Sequence, residues 1–182
     1  MDKLQRIAAS LATPKVPPVH AWRPEQVGEI DIQIDHNCDW WHEGGLIQRA
    51  ELVKLFSSIL WYEEDQYYLV TPAEKLKIAV ADVPFLVQSA QAVDSAWVLT
   101  LNTAEQLLPG SEHPVELRLY DSVWVPYVRV RYELWARVGR QTYLQWVEAA
   151  LESDNGEPLA EPEGSSTLHL YSGEYRFAVA RS

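Results

Sequence analysis

Arginine is distributed unevenly along this chain. The segment from Arg118 to Arg140 carries five arginines and two acidic residues, whereas the whole chain carries 15 basic and 26 acidic residues. Arg129 and Arg131 are two positions apart in an apolar stretch, so a strand would place both side chains on one face. Two adjacent guanidinium groups suit bidentate binding of phosphate or carboxylate. The segment indicates an anion-binding surface; the alternative is that these arginines form surface ion pairs with acidic neighbours.

The run Thr71-Pro72-Ala73-Glu74-Lys75 is a second candidate for ligand contact. The Thr71 hydroxyl and the Lys75 ammonium could both bind an anion, with Glu74 orienting Lys75. The structural alternative is that Thr-Pro ends a strand and the charged pair forms a solvated turn.

One cluster has metal-capable atoms: His36, Cys38, Asp39 and His42. The His-x-Cys-x3-His spacing could hold zinc and support a metal-assisted hydrolase, but it matches no well-specified site and has no second cysteine pair. The alternative is a polar hairpin turn. The sequence contains no glycine-rich phosphate loop and no Gly-x-Ser-x-Gly elbow, so no catalytic residue and no cofactor is assigned.

Composition limits the classes of partner. A net charge of -11 and a pI near 4.8 argue against nucleic-acid binding and against attraction to anionic membranes. The single cysteine excludes an internal disulfide framework, and the sequence shows neither a secretory signal nor an apolar run long enough for a membrane span. These features favour a cytoplasmic protein.

Hydrophobic periodicity predicts the elements that would position these residues. Ile30, Ile32 and Ile34 alternate with polar residues as in a half-buried strand. Helical spacing follows from about Ala50 to Leu60, and a second helix is predicted from a capping box, Thr142-x-x-Gln145. Its predicted apolar face comprises Leu144, Val147, Ala150 and Leu151. Strands are predicted in the remaining apolar stretches, at 67–70, 76–80, 85–93, 96–102, 115–119, 127–131, 133–138, 168–171 and 175–180.

The order of elements repeats once along the chain. Strand, strand, Arg, helix, loop and strand occur at residues 30–70 and again at 128–171, which suggests an internal duplication. The predicted organisation is an N-terminal helix and proline-rich connector at 1–21, a first α+β unit at 22–82 and a second at 83–182. A cleft between two such units would be a favoured ligand site.

Several motifs identify a family resemblance: Gly44-Gly45-Leu46-Ile47-x-Arg49, Tyr68-Leu69-Val70-Thr71-Pro72-x-Glu74-Lys75, Asp82-x-Pro84-Phe85, His113-Pro114 and Pro126-Tyr127-x-x-Val130-Arg131. Together they resemble the bacterial family named domain of unknown function 1285, over most of the chain from about Pro18. Two positions depart from that family: Asn37-Cys38 replaces its usual Asp-Gly turn, and Leu46 replaces its usual proline.

The resemblance implies an α+β fold of two related sheet-plus-helix units. It further implies that the C-terminal unit is barrel-like, with a superficial likeness to the pleckstrin-homology fold. It also implies a site between the units for a nucleotide-like molecule and a link to signal transduction. No activity comes with the family.

The leading hypothesis is a non-enzymatic cytoplasmic protein that binds an anionic, nucleotide-like molecule in the cleft and relays binding to a protein partner. The predicted ligand-binding residues are Arg49, Thr71, Lys75, Tyr127, Arg129 and Arg131, with Tyr127 as a stacking surface. Two alternatives stay open: the metal-assisted hydrolase, and a protein-interaction module without a small-molecule ligand.

Overall fold

Two compact units make up the chain. The computed structural model describes residues 16–153, 159–160 and 166–182. Of these described residues, one unit comprises those up to Pro84 together with Tyr132–Leu134, and the other comprises those from Phe85 to Arg131 and from Trp135 to Ser182. The helix predicted at residues 2–12 lies outside the described residues, and the predicted boundary at 82/83 lies two residues before the observed division.

The described residues of the first unit form a short 3₁₀ helix, six strands and one α-helix. In chain order these elements are the 3₁₀ helix Val19–Ala21, β1 Gln26–Ile34, β2 Trp40–His42, β3 Gly45–Leu46, α1 Ala50–Ser57, β4 Leu60–Glu63, β5 Gln66–Val70 and β6 Glu74–Val80. The strands form one sheet in the order β3-β2-β1-β6-β5-β4. Its central pair, β1 and β6, is parallel, and its other neighbours are antiparallel.

One face of this sheet carries the core of the first unit. Ile32 and Ile34 of β1 are each 1% exposed, as the alternating pattern predicts. Phe56 of α1 is fully buried and stacks on Trp40, with the ring centroids 6.2 Å apart. Burying such a side chain stabilises the fold by roughly 1.5–3 kcal/mol. The predicted helix extended to Leu60, which instead begins β4, so that part of the prediction is wrong.

The second unit contains nine strands and one α-helix within the described ranges. They are β7 Phe85–Val93, β8 Ala96–Leu101, β9 Gln106–Leu107, β10 Val115–Tyr120, β11 Val123–Arg131, β12 Leu134–Val138, α2 Arg140–Ser153, β13 Leu159–Ala160, β14 Ser166–Ser172 and β15 Tyr175–Arg181. The first six strands form a curled half-barrel in the order β10-β11-β12-β7-β8-β9, and β13-β14-β15 form a separate sheet.

The two six-stranded sheets share one topology. In each, the first and last strands of the six pair in parallel at the centre, as β1 with β6 and β7 with β12. An antiparallel meander of three strands continues on either side. The duplication expected from the sequence is therefore present, but its halves are β1–β6 and β7–β12 rather than residues 30–70 and 128–171. Helix position misled that alignment, because α1 lies inside the first six strands and α2 follows the second six.

Helix α2 differs from its prediction in start and orientation. It begins at Arg140, so Thr142 lies inside the first turn and is 1% exposed, and the predicted capping box is wrong. The buried residues are Thr142, Trp146 and Ala150, spaced by four, whereas Leu144 and Leu151 of the predicted apolar face are 54% and 45% exposed. Trp146 determines the orientation because its large ring packs on Trp97 and Phe177.

Neither α-helix of the described ranges is long and apolar enough to cross a lipid bilayer.

Candidate functional site

A cavity of about 350 Å³ lies within the first unit, beside Lys75. Its lining includes one row of the sheet, in which Lys75 of β6 pairs with Val27 of β1 on one side and with Val70 of β5 on the other. The segment that precedes β1 lines the cavity with Trp22 and Arg23, and β4 lines it with Trp61 and Glu63. Lys75 reaches the cavity because it alternates with the buried Leu76 and so points to the opposite face of β6.

Lys75 is held by two neighbours from the same meander. Its Nζ forms an ion pair with Oε1 of Glu63, and it lies 4.2 Å from the ring centroid of Tyr68. The Lys75 side chain is 19% exposed and that of Glu63 is 42% exposed. The pair is therefore partly desolvated on the lysine side, where electrostatic interactions are stronger than in bulk water.

Glu63 is itself fixed by a second hydrogen bond. The indole Nε1 of Trp61 donates to Oε2 of Glu63 at 2.8 Å. Since one carboxylate oxygen binds Lys75 and the other binds Trp61, the negative charge has a defined position at the cavity wall. Trp61 also packs against Tyr132, with ring centroids 5.2 Å apart, and the Tyr132 hydroxyl bonds to Nδ1 of His20 at 2.8 Å.

Arg23 supplies the second positive charge. Its Nη1 donates to the carbonyl oxygens of His20 and Trp22, each at 2.8 Å. These bonds orient the guanidinium without neutralising it, because both acceptors are uncharged carbonyls. Burial, and then the nearby charge of Arg23, lowers the pKa of Lys75 below its ordinary value of 10.5. The positive charge of Arg23 therefore disfavours the charged form of Lys75.

The predicted residues of the first unit have different environments. Lys75 lies in the cavity, but Thr71 is 5% exposed and its hydroxyl accepts bonds from the amides of Ala73 and Glu74, as in the structural alternative. Glu74 does not orient Lys75, and that expectation is wrong, because neighbouring strand residues point to opposite faces and Glu63 takes the role. Arg49 precedes α1, is exposed and does not cap the helix with its side chain.

The predicted residues of the second unit are mostly engaged by neighbours. Arg129 and Arg131 share a face of β11, as predicted, since the alternating Val128 and Val130 are buried. Nη1 of Arg131 binds both carboxylate oxygens of Glu105, at 3.0 and 2.9 Å. Arg131 therefore forms the ion pair with an acidic neighbour that the alternative interpretation of this segment expects.

Tyr127 is also an internal residue. Its side chain is 2% exposed, and the guanidinium of Arg118 lies 5.1 Å from its ring centroid. The same guanidinium lies 4.0 Å from the ring of Trp135. A ligand would stack on Tyr127 only after Arg118 had moved.

The metal-capable residues do not converge. No group of three or more His, Cys, Asp or Glu side chains with metal-binding geometry occurs in the part of the chain that the structure describes, which includes His36, Cys38 and His42. Cys38 is 2% exposed and its thiol donates to the carbonyl oxygen of Val83 at 3.3 Å. The segment is a polar turn, the other reading of this motif.

Sequence reasoning missed Trp22, Arg23 and Glu63. Arg23 follows no periodic pattern, because it lies in the irregular segment before β1. Glu63 is distant from Lys75 in sequence, and only the β4-β5-β6 pairing brings the two together. The one local signal was Trp-Arg-Pro at 22–24, an aromatic and a cation fixed in place by a proline.

The chain matches known proteins over nearly its whole length. Residues 17–83 match the N-terminal domain of a domain of unknown function, DUF1285, and residues 84–179 match the C-terminal domain of the same family. No curated protein matches.

Two solved structures are similar. The crystal structure of a DUF1285 family protein from Silicibacter pomeroyi DSS-3 has 28% identity and a TM-score of 0.84, covering 99% of this chain and 96% of that chain. That of a DUF1285 family protein from Shewanella baltica OS155 has 28% identity and a TM-score of 0.53, covering 64% and 90%. The two family domains together with these likenesses show that the chain belongs to the DUF1285 family.

Proposed function

We propose that this protein is a non-enzymatic binding protein whose first unit takes a small anionic molecule in the cavity beside Lys75. The observation that carries the proposal is the pair of cations, Arg23 and Lys75, on a cavity where the described lining residues include one carboxylate, Glu63. In an acidic chain, a local excess of positive charge in a concave site attracts anions that the overall field repels.

The cavity also has the features of a small-molecule site. Its volume of about 350 Å³ lies at the lower end of the range for ligand pockets, roughly 300–1,000 Å³. Trp22 and Trp61 provide aromatic walls, while Val27 and Val70 provide apolar contact. A ligand with an anionic head and an apolar or aromatic body would satisfy both parts.

Three finer expectations from the sequence stay predictions. These are a nucleotide-like ligand, a relay of binding to a protein partner in signal transduction, and a cytoplasmic location. The cavity proposal differs from the sequence-based one in position, since it depends on Lys75 with Arg23 rather than on Arg129 and Arg131.

The proposal can be tested by thermal-shift screening against small anions, followed by calorimetry on the compounds that bind. A ligand that binds only the folded state raises the melting temperature. Replacing either cation, in Lys75→Met or Arg23→Gln, should weaken binding at least about tenfold, because each removes a charge-assisted contact. Lys54→Met is the matched control: it removes one lysine charge from α1, where Lys54 pairs only weakly with Glu51, 3.7 Å away.

Two outcomes would overturn the proposal. One is the absence of any binder at millimolar concentration. The other is loss of binding in Arg131→Gln with full binding in Lys75→Met, which would assign the ligand to the second unit.

A further inference from the structure

Glu63 places a fixed negative charge in the lining of the proposed anion site. Both of its carboxylate oxygens have partners, Lys75 for Oε1 and the Trp61 indole for Oε2. A group held at both oxygens loses little additional freedom when a ligand arrives, so its charge acts on the ligand from a fixed position. Any ligand must therefore be compatible with that carboxylate.

The charges that line the cavity sum to a small positive value. Among the residues that the structure describes, the lining carries the cations Arg23 and Lys75 and the anion Glu63, which leaves one net positive charge. A ligand with one negative charge balances this sum. A ligand with two would place an uncompensated charge beside Glu63, and repulsion between like charges would weaken its binding.

The hydrogen-bond donors that remain fit a single anionic group. The ammonium of Lys75 has three N–H donors and directs one toward Glu63. The guanidinium of Arg23 has five, and Nη1 uses its share on the carbonyls of His20 and Trp22. The free donors of the two cations can satisfy a planar carboxylate, while the tryptophans and valines of the cavity contact its apolar body.

We infer that the ligand of this cavity is a monoanion, a carboxylate on an apolar or aromatic body, and that Glu63 selects it against dianionic phosphate monoesters. The inference rests on the proposed function and narrows it. It also excludes from this cavity mononucleotides with a terminal phosphate monoester, because such a group carries two negative charges at pH 8.

Three probes of similar size test the selection: phenylacetate as the monoanion, phenyl phosphate as the dianion and phenylacetamide as the neutral compound. Calorimetry at pH 8 is suitable, because the second pKa of a phosphate monoester is about 6 and phenyl phosphate then carries both charges. The unmodified protein should bind phenylacetate at least about tenfold more tightly than either other probe.

The variant Glu63→Gln should abolish the preference for phenylacetate over phenyl phosphate. It removes the repelling charge and keeps an acceptor for Trp61, so the affinity for phenyl phosphate should rise about tenfold or more relative to phenylacetate. Glu64→Gln is the matched control, because it makes the same charge change at the next residue, which does not line the cavity. Trp61→Phe keeps the Glu63 charge but frees one oxygen, and should shift the affinity ratio the same way by a smaller factor.

The outcomes separate this inference from the proposed function. Tighter binding of phenyl phosphate by the unmodified protein overturns the monoanion assignment and leaves the anion site in place. An equal change of the affinity ratio in Glu63→Gln and Glu64→Gln shows that Glu63 is not the selector. If neither anion binds the unmodified protein or the Glu63→Gln variant, the proposed anion site itself is wrong.

Discussion

Lys75 and Glu63 form an ion pair across the β4-β5-β6 meander, with β5 between the two strands that carry them. Glu63 is 42% exposed, so solvent screens the pair, and such pairs contribute about 0–1 kcal/mol to stability. Their arrangement therefore bears on ligand binding more than on folding. It places one ammonium between a fixed carboxylate, an aromatic ring and a second cation.

Anion binding should weaken in alkaline solution. A bound anion stabilises the charged lysine, so affinity is full below the lowered pKa of Lys75 and falls as the pH rises through it. Because the pKa of Lys75 lies below 10.5, more than half of this lysine is neutral at pH 10.5, and we expect the dissociation constant of phenylacetate to be at least about twofold higher there than at neutral pH. Calorimetry in buffers of different ionisation enthalpy should also detect proton uptake on binding at the alkaline end.

Two variants test whether Lys75 is the group that causes this pH dependence. Lys75→Arg keeps a positive charge that does not titrate, so its affinity should stay flat over the same range. Tyr68→Phe keeps the ring beside Lys75 and removes the phenol, and the alkaline fall should persist. A fall of equal size in Lys75→Arg would contradict the assignment.

Replacement by asparagine should change the free energy of unfolding in opposite directions at Asp35 and at Asp39. Burial raises the pKa of Asp35, but bonds from the Trp41 indole at 2.9 Å and from the amides of Asp39 and Asn37 outweigh it, and the net pKa is lowered. Burial and the neighbouring charge of Asp35 raise the pKa of Asp39. Asp35→Asn should therefore lower the free energy of unfolding at pH 7 by about 1–2 kcal/mol. Asp39→Asn should raise it by less than about 1 kcal/mol.

Acid denaturation tests the sign of the Asp35 effect. Its pKa is lower in the folded state, so its contribution is complete above 3.8 and disappears as the pH falls through the folded pKa. The difference between Asp35→Asn and the unmodified protein, measured by urea unfolding, should shrink as the pH is lowered below 3.8 and should be smallest at the lowest pH that the fold tolerates. A difference that persists unchanged at that pH would show that packing rather than charge is responsible.

Local patterns predicted the elements better than they predicted the site. The alternation of Ile32 and Ile34 correctly indicated a half-buried strand, because a strand's burial depends on its own period. The orientation of α2 was missed because the helix has two possible apolar faces, one with the leucines and one with Trp146. Tertiary packing buries the face with Trp146. The cavity was missed because Arg23, Glu63 and Lys75 come from three separate segments, which only strand pairing brings together.

The turn at Cys38 should prefer glycine to alanine. Cys38 has φ of +61°, a left-handed conformation that disfavours any residue with a Cβ. Cys38→Gly and Cys38→Ala both remove the bond to Val83, but only glycine relieves the backbone. We expect Cys38→Gly to be about 1 kcal/mol more stable than Cys38→Ala in urea unfolding. Equal stabilities would show that the turn rearranges when the thiol is lost.

The second unit has a position where a single methyl group should be costly. Gly139 joins β12 to α2, and its amide donates to the carbonyl oxygen of Val87 at 3.0 Å, continuing the parallel β7–β12 pairing. A Cβ at Gly139 would lie 2.7 Å from that oxygen, closer than van der Waals contact allows. Because the oxygen belongs to a backbone in the centre of the sheet, it cannot move aside as a flexible side chain would.

Gly139→Ala should therefore lower the free energy of unfolding by roughly 1–3 kcal/mol, which corresponds to a fall of about 2–12 °C in melting temperature for a chain of this size. Gly110→Ala is the matched control in the same unit, since the nearest atom to its Cβ would lie 3.9 Å away. The control should melt within about 2 °C of the unmodified protein, because an alanine without a clash changes mainly the entropy of the unfolded chain. Equal melting temperatures for the two variants would mean that the β7–β12 pairing opens at Gly139 without cost, contrary to the close contact on which this expectation depends.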